Sequence, residues 1–441
     1  MASSISIQND RIAGTPDSGR RKSLFAGVAG NFIEFYDWTI YAYMAPIFAS
    51  QMFPSDQPMV SLLLAFSTFA LGYIARPLGA LIFGAYSDRI GRRNAMTIAI
   101  LGMGVCSLIM GLVPNYAAIG LAAPVLLVAA RLIQGISAGG EAGSATTYLV
   151  ELAKPGRRAF AGSLQQISTG ASTLCALATS AILAGTLSTE ALADWGWRIP
   201  FIIGAVLSVV GLYLRLAAHE SPVFEVDSKS AEKREPFFAS LTKAWRPVLL
   251  VAAMALFPSI AFLTWQIFLP TFISVSTGMA RSQALNISTI GVLVFLVLIP
   301  PSAMLSDRIG RKPMMIAYTV LAILWAYPTY VGIPTFFNSY SGVLTVAIVG
   351  NIILAIMAGS LVACMVEQFD TLVRATGNGL SYAIGIVLSG ATYPPIVTAL
   401  MGSQRYTSIA VYVIVMAAIS LVAYIIMPET KDKPLSQRGS V

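Results

Sequence analysis

The chain has 441 residues, 56% of them hydrophobic and only 11% charged, where a soluble domain carries about 25% charged residues. That composition excludes an ordinary soluble enzyme and predicts a polytopic membrane protein, all α, because irregular backbone cannot face lipid. The 28 Lys and Arg against 20 Asp and Glu give a net charge of +8, and the position of those charges decides what the excess means.

Residues 1–22 form a polar, Ser/Gly-rich stretch with Arg11, Arg20, Arg21 and Lys22 and no cleavable signal pattern. They are expected to be a disordered cytoplasmic tail. Apolar runs long enough to cross a bilayer as helix then follow at about 24–50, 59–86, 94–113, 121–151, 159–186 and 199–217. A polar stretch rich in Glu, Asp, Lys and Arg runs from His219 to Arg246. Six more runs follow at about 247–275, 284–305, 313–332, 341–366, 375–401 and 406–428. The organisation expected is a six-helix half over 23–217, a cytoplasmic loop over 218–246, a second six-helix half over 247–428 and a tail over 429–441.

With both termini inside, only Arg198, Arg281 and Arg405 fall in outer loops and Arg76 and Arg131 lie within spans, leaving 23 of the 28 basic residues on the cytoplasmic side. That imbalance sets the orientation. Because the basic residues are spread over every inner loop, no nucleic-acid partner is expected. Cys106, Cys175 and Cys364 lie in apolar runs and are odd in number, and His219 is the lone histidine. Neither a disulfide framework, a metal site nor a cofactor is expected.

Two landmarks repeat. The sequence Gly84-Ala-Tyr-Ser-Asp88-Arg89-Ile-Gly91-Arg92-Arg93 after span 2 is matched 219 residues later by Ala303-Met-Leu-Ser-Asp307-Arg308-Ile-Gly310-Arg311-Lys312 after span 8. Glu151 with Arg158 after span 4 is matched 216 residues later by Glu367 with Arg374 after span 10. Internal symmetry of this kind is typical of secondary transporters. Asp88 and Asp307 end their spans where the N-termini of spans 11 and 5 emerge. A helix N-terminus carries partial positive charge, so these carboxylates can latch the halves together, with Arg89, Arg92, Arg308, Arg311, Glu151, Arg158, Glu367 and Arg374 as gate residues. The basic loops also serve as topology determinants.

The doubled loop resembles the signature of the major facilitator superfamily. Finer features narrow the likeness: Asn31-Phe-Ile-Glu34-Phe35-Tyr36-Asp37-Trp38, Arg76-Pro77-Leu78-Gly79, Arg131-Leu-Ile-Gln134-Gly135 with Gly139-Gly140-Glu141, and Asp194-Trp195-Gly196-Trp197-Arg198-Ile199-Pro200. These resemble the metabolite:proton symporter family, whose members carry 2-oxoglutarate, citrate, shikimate and proline/betaine. Trp38 stands where that family usually has Phe, and Ala303 where the loop usually opens with Gly. The resemblance implies a bacterial-type inner-membrane transporter of a small molecule and protons, and assigns the span 4 arginine a role in coupling. A monomer is expected.

Ionisable groups at bilayer depth are costly and mark function. Glu34 and Asp37, three residues apart on one helix, are proton-coupling candidates with Glu141 and Arg131; alternatively one of the acids merely salt-bridges Arg76 or Arg131. Those two arginines can bind an anionic substrate through the guanidinium fork or hold the coupling acids ionised. Tyr36, Gln165, Trp265 and Gln266 complete the expected substrate contacts. The small residues of span 4 read as close helix packing. The function these features predict is proton-coupled symport of an organic acid anion, with a zwitterion such as proline or betaine as the alternative. No phosphate-binding GxxxxGK[ST] loop exists to drive a primary pump.

Overall fold

The computed structural model describes residues 17–90, 92–139, 142–151, 153, 156–216, 245–369 and 374–431. They form an all-helical bundle. The helices are α1 Asp17–Met52, α2 Pro58–Ile90, α3 Arg92–Leu112, α4 Ala122–Gly139 resuming at Ala142–Glu151, α5 Arg158–Thr186 and α6 Ile199–Leu216. They continue with α7 Trp245–Thr277, α8 Arg281–Ile309, α9 Arg311–Thr335, α10 Tyr340–Val366, α11 Arg374–Gly390 resuming at Tyr393–Gly402, and α12 Tyr406–Ile426. Among the described residues ten helices are long and apolar enough to cross a membrane.

Helix ends fall within a few residues of the hydrophobic runs, with one clear exception. α1 starts at Asp17, inside the stretch expected to be a disordered tail. The reason is that a helix need not begin where the apolar run does: Arg20, Arg21 and Lys22 are good helix formers and can carry the first turns outside the bilayer.

Several long runs are interrupted. α7 contains a π-helical stretch at Leu263–Phe268, following Pro258, and α9 contains another at Pro328–Gly332. α10 breaks at Gly359–Ser360, where its backbone meets Ser302 and Ala303 of α8, and α11 breaks at Ala391–Thr392.

The packing is paired. α2 lies on α4 and α8 on α10; α1 on α5 and α7 on α11; α3 on α6 and α9 on α12. Between these sets, α5 packs on α8 and α2 on α11. The closest approach is α2 against α4: a Cβ at Gly135 would run into the carbonyl of Gly72, so the helices meet backbone to backbone as small residues permit. The Trp195-to-Pro200 segment is structural. Trp197 is buried against Phe48 and Phe201, and Arg198 donates to the carbonyl of Val113 at 2.9 Å.

Candidate functional site

Four expected charges converge on one aromatic box. α1 supplies Glu34, Asp37, Trp38 and Tyr41, α2 supplies Phe69, Tyr73 and Arg76, and α4 supplies Arg131. All eight are buried. Arg76 Nη2 pairs with Glu34 Oε1 at 3.1 Å. Its guanidinium lies over the rings of Trp38 at 4.5 Å and Tyr73 at 5.1 Å. Arg131 lies over Tyr41 at 3.8 Å and approaches the Trp38 ring at 5.4 Å. Trp38 is thus bordered by both cations. A desolvated guanidinium over an aromatic face gains roughly 2 kcal/mol or more, which offsets part of the cost of burying it.

Arg131 also donates to Gln134 Oε1 at 3.0 Å, Gln134 donates to Ser107 at 3.0 Å, and Arg131 Nη2 reaches the backbone carbonyl of Asp37 at 3.5 Å. Neither carboxylate oxygen of Asp37 has a hydrogen bond of good geometry, although Ser107 and Arg131 are its polar neighbours. Oδ1 points at Gly204 of α6, where a Cβ would collide with it. Glu34 and Asp37 therefore do not share one site. Three residues of helix turn the second side chain by about 60° from the first, enough to set Glu34 on Arg76 and turn Asp37 towards α6.

A cavity of about 30 Å³ opens beside this box, between α1, α4, α5, α10 and α11, with room for little more than one water. Its polar lining is Thr146, Gln165, Gln166, Thr169, Asn378 and Tyr382. Arg76 and Glu34 lie near enough to Tyr382 to act on it electrostatically. Asn378 donates to Thr146 at 3.2 Å, while its Oδ1 is buried without a partner. Of the expected substrate contacts, only Gln165 lines this cavity. Tyr36 donates to the carbonyl of Pro200 at 3.3 Å, Trp265 Nε1 faces Thr329 Oγ1 at 3.4 Å, and Gln266 donates to Asn351 at 2.6 Å. These three are turned into the packing of neighbouring helices.

The π-helical stretch of α7 carries a second polar group that the sequence reading missed. Thr264 bonds Tyr330 at 2.8 Å and Tyr393 at 3.0 Å, and the two phenols bond each other at 2.6 Å. The same stretch meets the first helices directly, through Tyr43 OH to the Gln266 carbonyl and Phe66 against Phe268 at 4.3 Å.

At the opposite end, the repeated landmarks assemble. Asp307 accepts from the backbone N–H groups of Ala159 at 3.0 Å and Phe160 at 3.1 Å, in the first turn of α5, and from Arg311 at 3.0 Å. Glu367 is fully buried between Arg311, at 3.3 Å, and Arg158, at 3.5 Å. Arg374 pairs with Glu151 at 2.7 Å. Arg308 is exposed and takes Lys431 Nζ on its carbonyl. Asp88 and Arg89 close α2 and Arg92 opens α3; their side chains lie outside the described residues, as does Glu141.

Two further residues join this cluster that the sequence reading missed, Glu429 and Thr430, placed by the sequence in a polar tail. Glu429 accepts the N–H groups of Arg311 at 3.1 Å, Lys312 at 2.9 Å, Thr430 at 2.8 Å and Lys431 at 3.0 Å. Burial opposes its charge, but those four donors outweigh it and hold the carboxyl below its usual range. Thr430 Oγ1 donates to Glu367. The available signal was a carboxylate just past the C-terminus of α12, where the helix dipole disfavours it unless another partner holds it.

Long apolar helices around buried ion pairs, closed at one end by a charge cluster, define a multi-pass membrane transporter of the major facilitator type. The chain belongs to the sugar (and other) transporter family, whose profile matches residues 22–244 and 228–439. It is 34% identical over 429 residues to the inner membrane metabolite transport protein YhjE of Escherichia coli, covering 96% of this chain and 97% of that one. It is 31% identical to the alpha-ketoglutarate permease of the same organism, over 97% of this chain and 98% of the permease. To the proline/betaine transporter of Salmonella typhimurium it is 30% identical, over 95% of this chain and 86% of that one. The fold is that of the E. coli xylose transporter XylE in a partially occluded inward-open form, with a TM-score of 0.74 at 16% identity over 95% of this chain and 100% of that one.

Proposed function

We propose that the chain is a proton-coupled symporter of a small organic acid anion, a mono-, di- or tricarboxylate, working by alternating access in a bacterial inner membrane. One observation carries this reading: Arg76 and Arg131 are buried around Trp38 beside two acids on adjacent turns of α1. A permanent cation held at membrane depth is suited to an anion, and a buried acid beside it to a proton. Arg76 is the substrate's carboxylate site; Asp37, Glu34, Glu141 and Arg131 carry the coupling.

The architecture proposed is twelve spans in two six-helix halves, 23–217 and 247–428, joined by a cytoplasmic loop over 218–246, with both termini cytoplasmic and the protein monomeric. The duplicated helix pairings and the doubled sequence landmarks support it. The halves rock about the α2–α11 and α5–α8 contacts, exposing the centre to either side in turn. Asp88 and Asp307 latch the cytoplasmic side.

Counterflow in proteoliposomes with labelled 2-oxoglutarate, citrate, shikimate, proline and betaine tests the reading. The acids are expected to exchange, and Arg76→Lys to weaken them although charge is kept, because an ammonium lacks the planar fork. Strong exchange of betaine or proline with all three acids inert would overturn the organic-acid reading in favour of a zwitterion.

A further inference from the structure

We propose that Glu34 and the substrate carboxylate are alternative partners of Arg76, so that a proton bound by Glu34 hands the guanidinium to the substrate. This rests on the carboxylate-transport reading and specifies how its site is charged. In the described structure Arg76 is already committed: its Nη2 lies 3.1 Å from Glu34, and both side chains are less than a tenth exposed. An incoming carboxylate therefore meets a guanidinium already neutralised by an acid of the protein.

Charge balance ties the proton to the anion. If the anion enters while Glu34 is ionised, two carboxylates confront one cation in a low-dielectric site, and like charges there repel strongly. Conversely, if Glu34 takes a proton with no anion present, Arg76 is left buried and uncompensated, which is the costly way to break an ion pair. Only the two events together keep the site neutral. The proton adds to a Glu34 oxygen, the Glu34–Arg76 ion pair breaks, and the substrate carboxylate forms a new ion pair with the same guanidinium. No other bond changes.

The surroundings favour this exchange over a purely structural pair. The Trp38 and Tyr73 faces hold the guanidinium irrespective of which anion it pairs with. Arg76 Nε is buried without an acceptor, so the fork keeps a donor in reserve for a bidentate partner. Tyr382 lines the cavity and lies within electrostatic reach of both charges. Among the described residues, the titratable and charged groups facing the pair include Tyr73 on α2, Tyr382 on α11 and, across Trp38, Arg131 on α4. Asp37 turns towards Gly204, and the cation that acts on it electrostatically is Arg131.

The test measures binding and proton uptake together, on purified full-length protein between about pH 5.5 and 8.5, with 2-oxoglutarate, citrate and betaine as probes. Wild type is expected to take up one proton per carboxylate bound, with Kd rising about tenfold per pH unit above the Glu34 titration. Glu34→Gln is expected to bind without uptake and with a flat pH profile. Uptake surviving in Glu34→Gln overturns the exchange. Should Glu34→Gln fail to fold, acids binding to wild type at every pH without uptake also overturn it, leaving the organic-acid reading intact. Betaine binding with Glu34-dependent uptake while both acids are inert sinks the organic-acid reading and leaves the exchange standing. No binding of any carboxylate-bearing probe overturns both.

Discussion

Replacing Asp307 by Asn should loosen the contact between α8 and α5 by an amount that the geometry bounds. Its two oxygens accept from Ala159 and Phe160 N–H at 3.0 and 3.1 Å, and these bonds cross from α8 to the first turn of α5. Asparagine keeps one acceptor oxygen and turns an NH2 towards the other N–H, so one bond is lost and the survivor is no longer charge-assisted. Hydrogen bonds to charged groups contribute about 1.5–3 kcal/mol each, and a carboxylate at a partly buried helix N-terminus up to about 2 kcal/mol. A net loss near 2 kcal/mol shifts the open-to-closed ratio roughly thirtyfold, since each 1.4 kcal/mol is tenfold. The Arg311 contact, at 3.0 Å, is made four residues along the same segment as Asp307 and keeps Glu367 as its other anion. It therefore changes little between the two states.

Spin labels at the exposed positions Arg157 and Ile309, in a background freed of native cysteines, report this ratio as a distance distribution. The expected result is a new longer-distance population, not complete opening, because Arg374–Glu151 and Arg158–Glu367 remain. An unchanged distribution in a folded Asp307→Asn protein would refute the reasoning. It would mean that the helix N-terminus finds an equally good partner without the charge.

Other perturbations probe other parts. Asp37→Asn is expected to abolish accumulation driven by a pH gradient while leaving some exchange, since an amide imitates the protonated acid and releases nothing; gradient-driven uptake in vesicles measures it, and full accumulation would move the role to Glu34 or Glu141. Gly135→Ala should lower the melting temperature, because its Cβ would meet the Gly72 carbonyl and overpacking costs about 1–3 kcal/mol; an unchanged melt would show that α2 and α4 part freely. For Glu429→Gln the sign is set by its lowered pKa. The stabilisation is present above the ordinary glutamate value of about 4.3 and disappears as pH falls through the lower folded value. Wild type should thus exceed the variant in chemical unfolding at neutral pH and converge with it in acid; a constant gap would assign Glu429 a role independent of its charge.

The helices were legible because lipid demands long apolar runs, and the charge cluster at the helix ends was legible because spacing and dipole direction single out its residues before any packing is known. Asp307 on the α5 N-terminus is of that kind. The pairing of the buried charges was not. Four charges at similar depth admit several pairings, and the choice of Glu34 for Arg76 depends on how α1 is rotated against α2 and α4. The π-helical stretches were equally hidden. Nothing in Leu263–Phe268 departs from an ordinary apolar run; the wider turn accompanies bonds from Thr264 to Tyr330 and Tyr393, 66 and 129 residues away. Thr430 was hidden for a simpler reason, since a polar residue after the last span reads as tail until its hydroxyl is found on Glu367.

What the internal repeat preserves and what it drops divides the labour between the two sets of helices. Glu151 and Arg158 recur as Glu367 and Arg374, and Asp88 recurs as Asp307, because both sides of a closing surface must carry complementary ends. The central charges do not recur. Shifted by the 216 to 219 residues that relate the landmarks, Arg76 falls on Val292-Leu-Val-Phe295, Arg131 on Ala347-Ile-Val-Gly350, and Glu34 and Asp37 on Leu250 to Leu256, where no residue is ionisable. An ion pair at bilayer depth stabilises little compared with apolar packing of the same volume. Keeping two such clusters would cost stability, and a single substrate anion needs one. The later helices supply neutral donors and acceptors in their place, Thr264, Gln266, Tyr330, Asn351 and Tyr393. On the proposed reading the first six helices therefore handle the proton and the carboxylate, while the last six present to the cavity only the neutral polar groups of Asn378 and Tyr382.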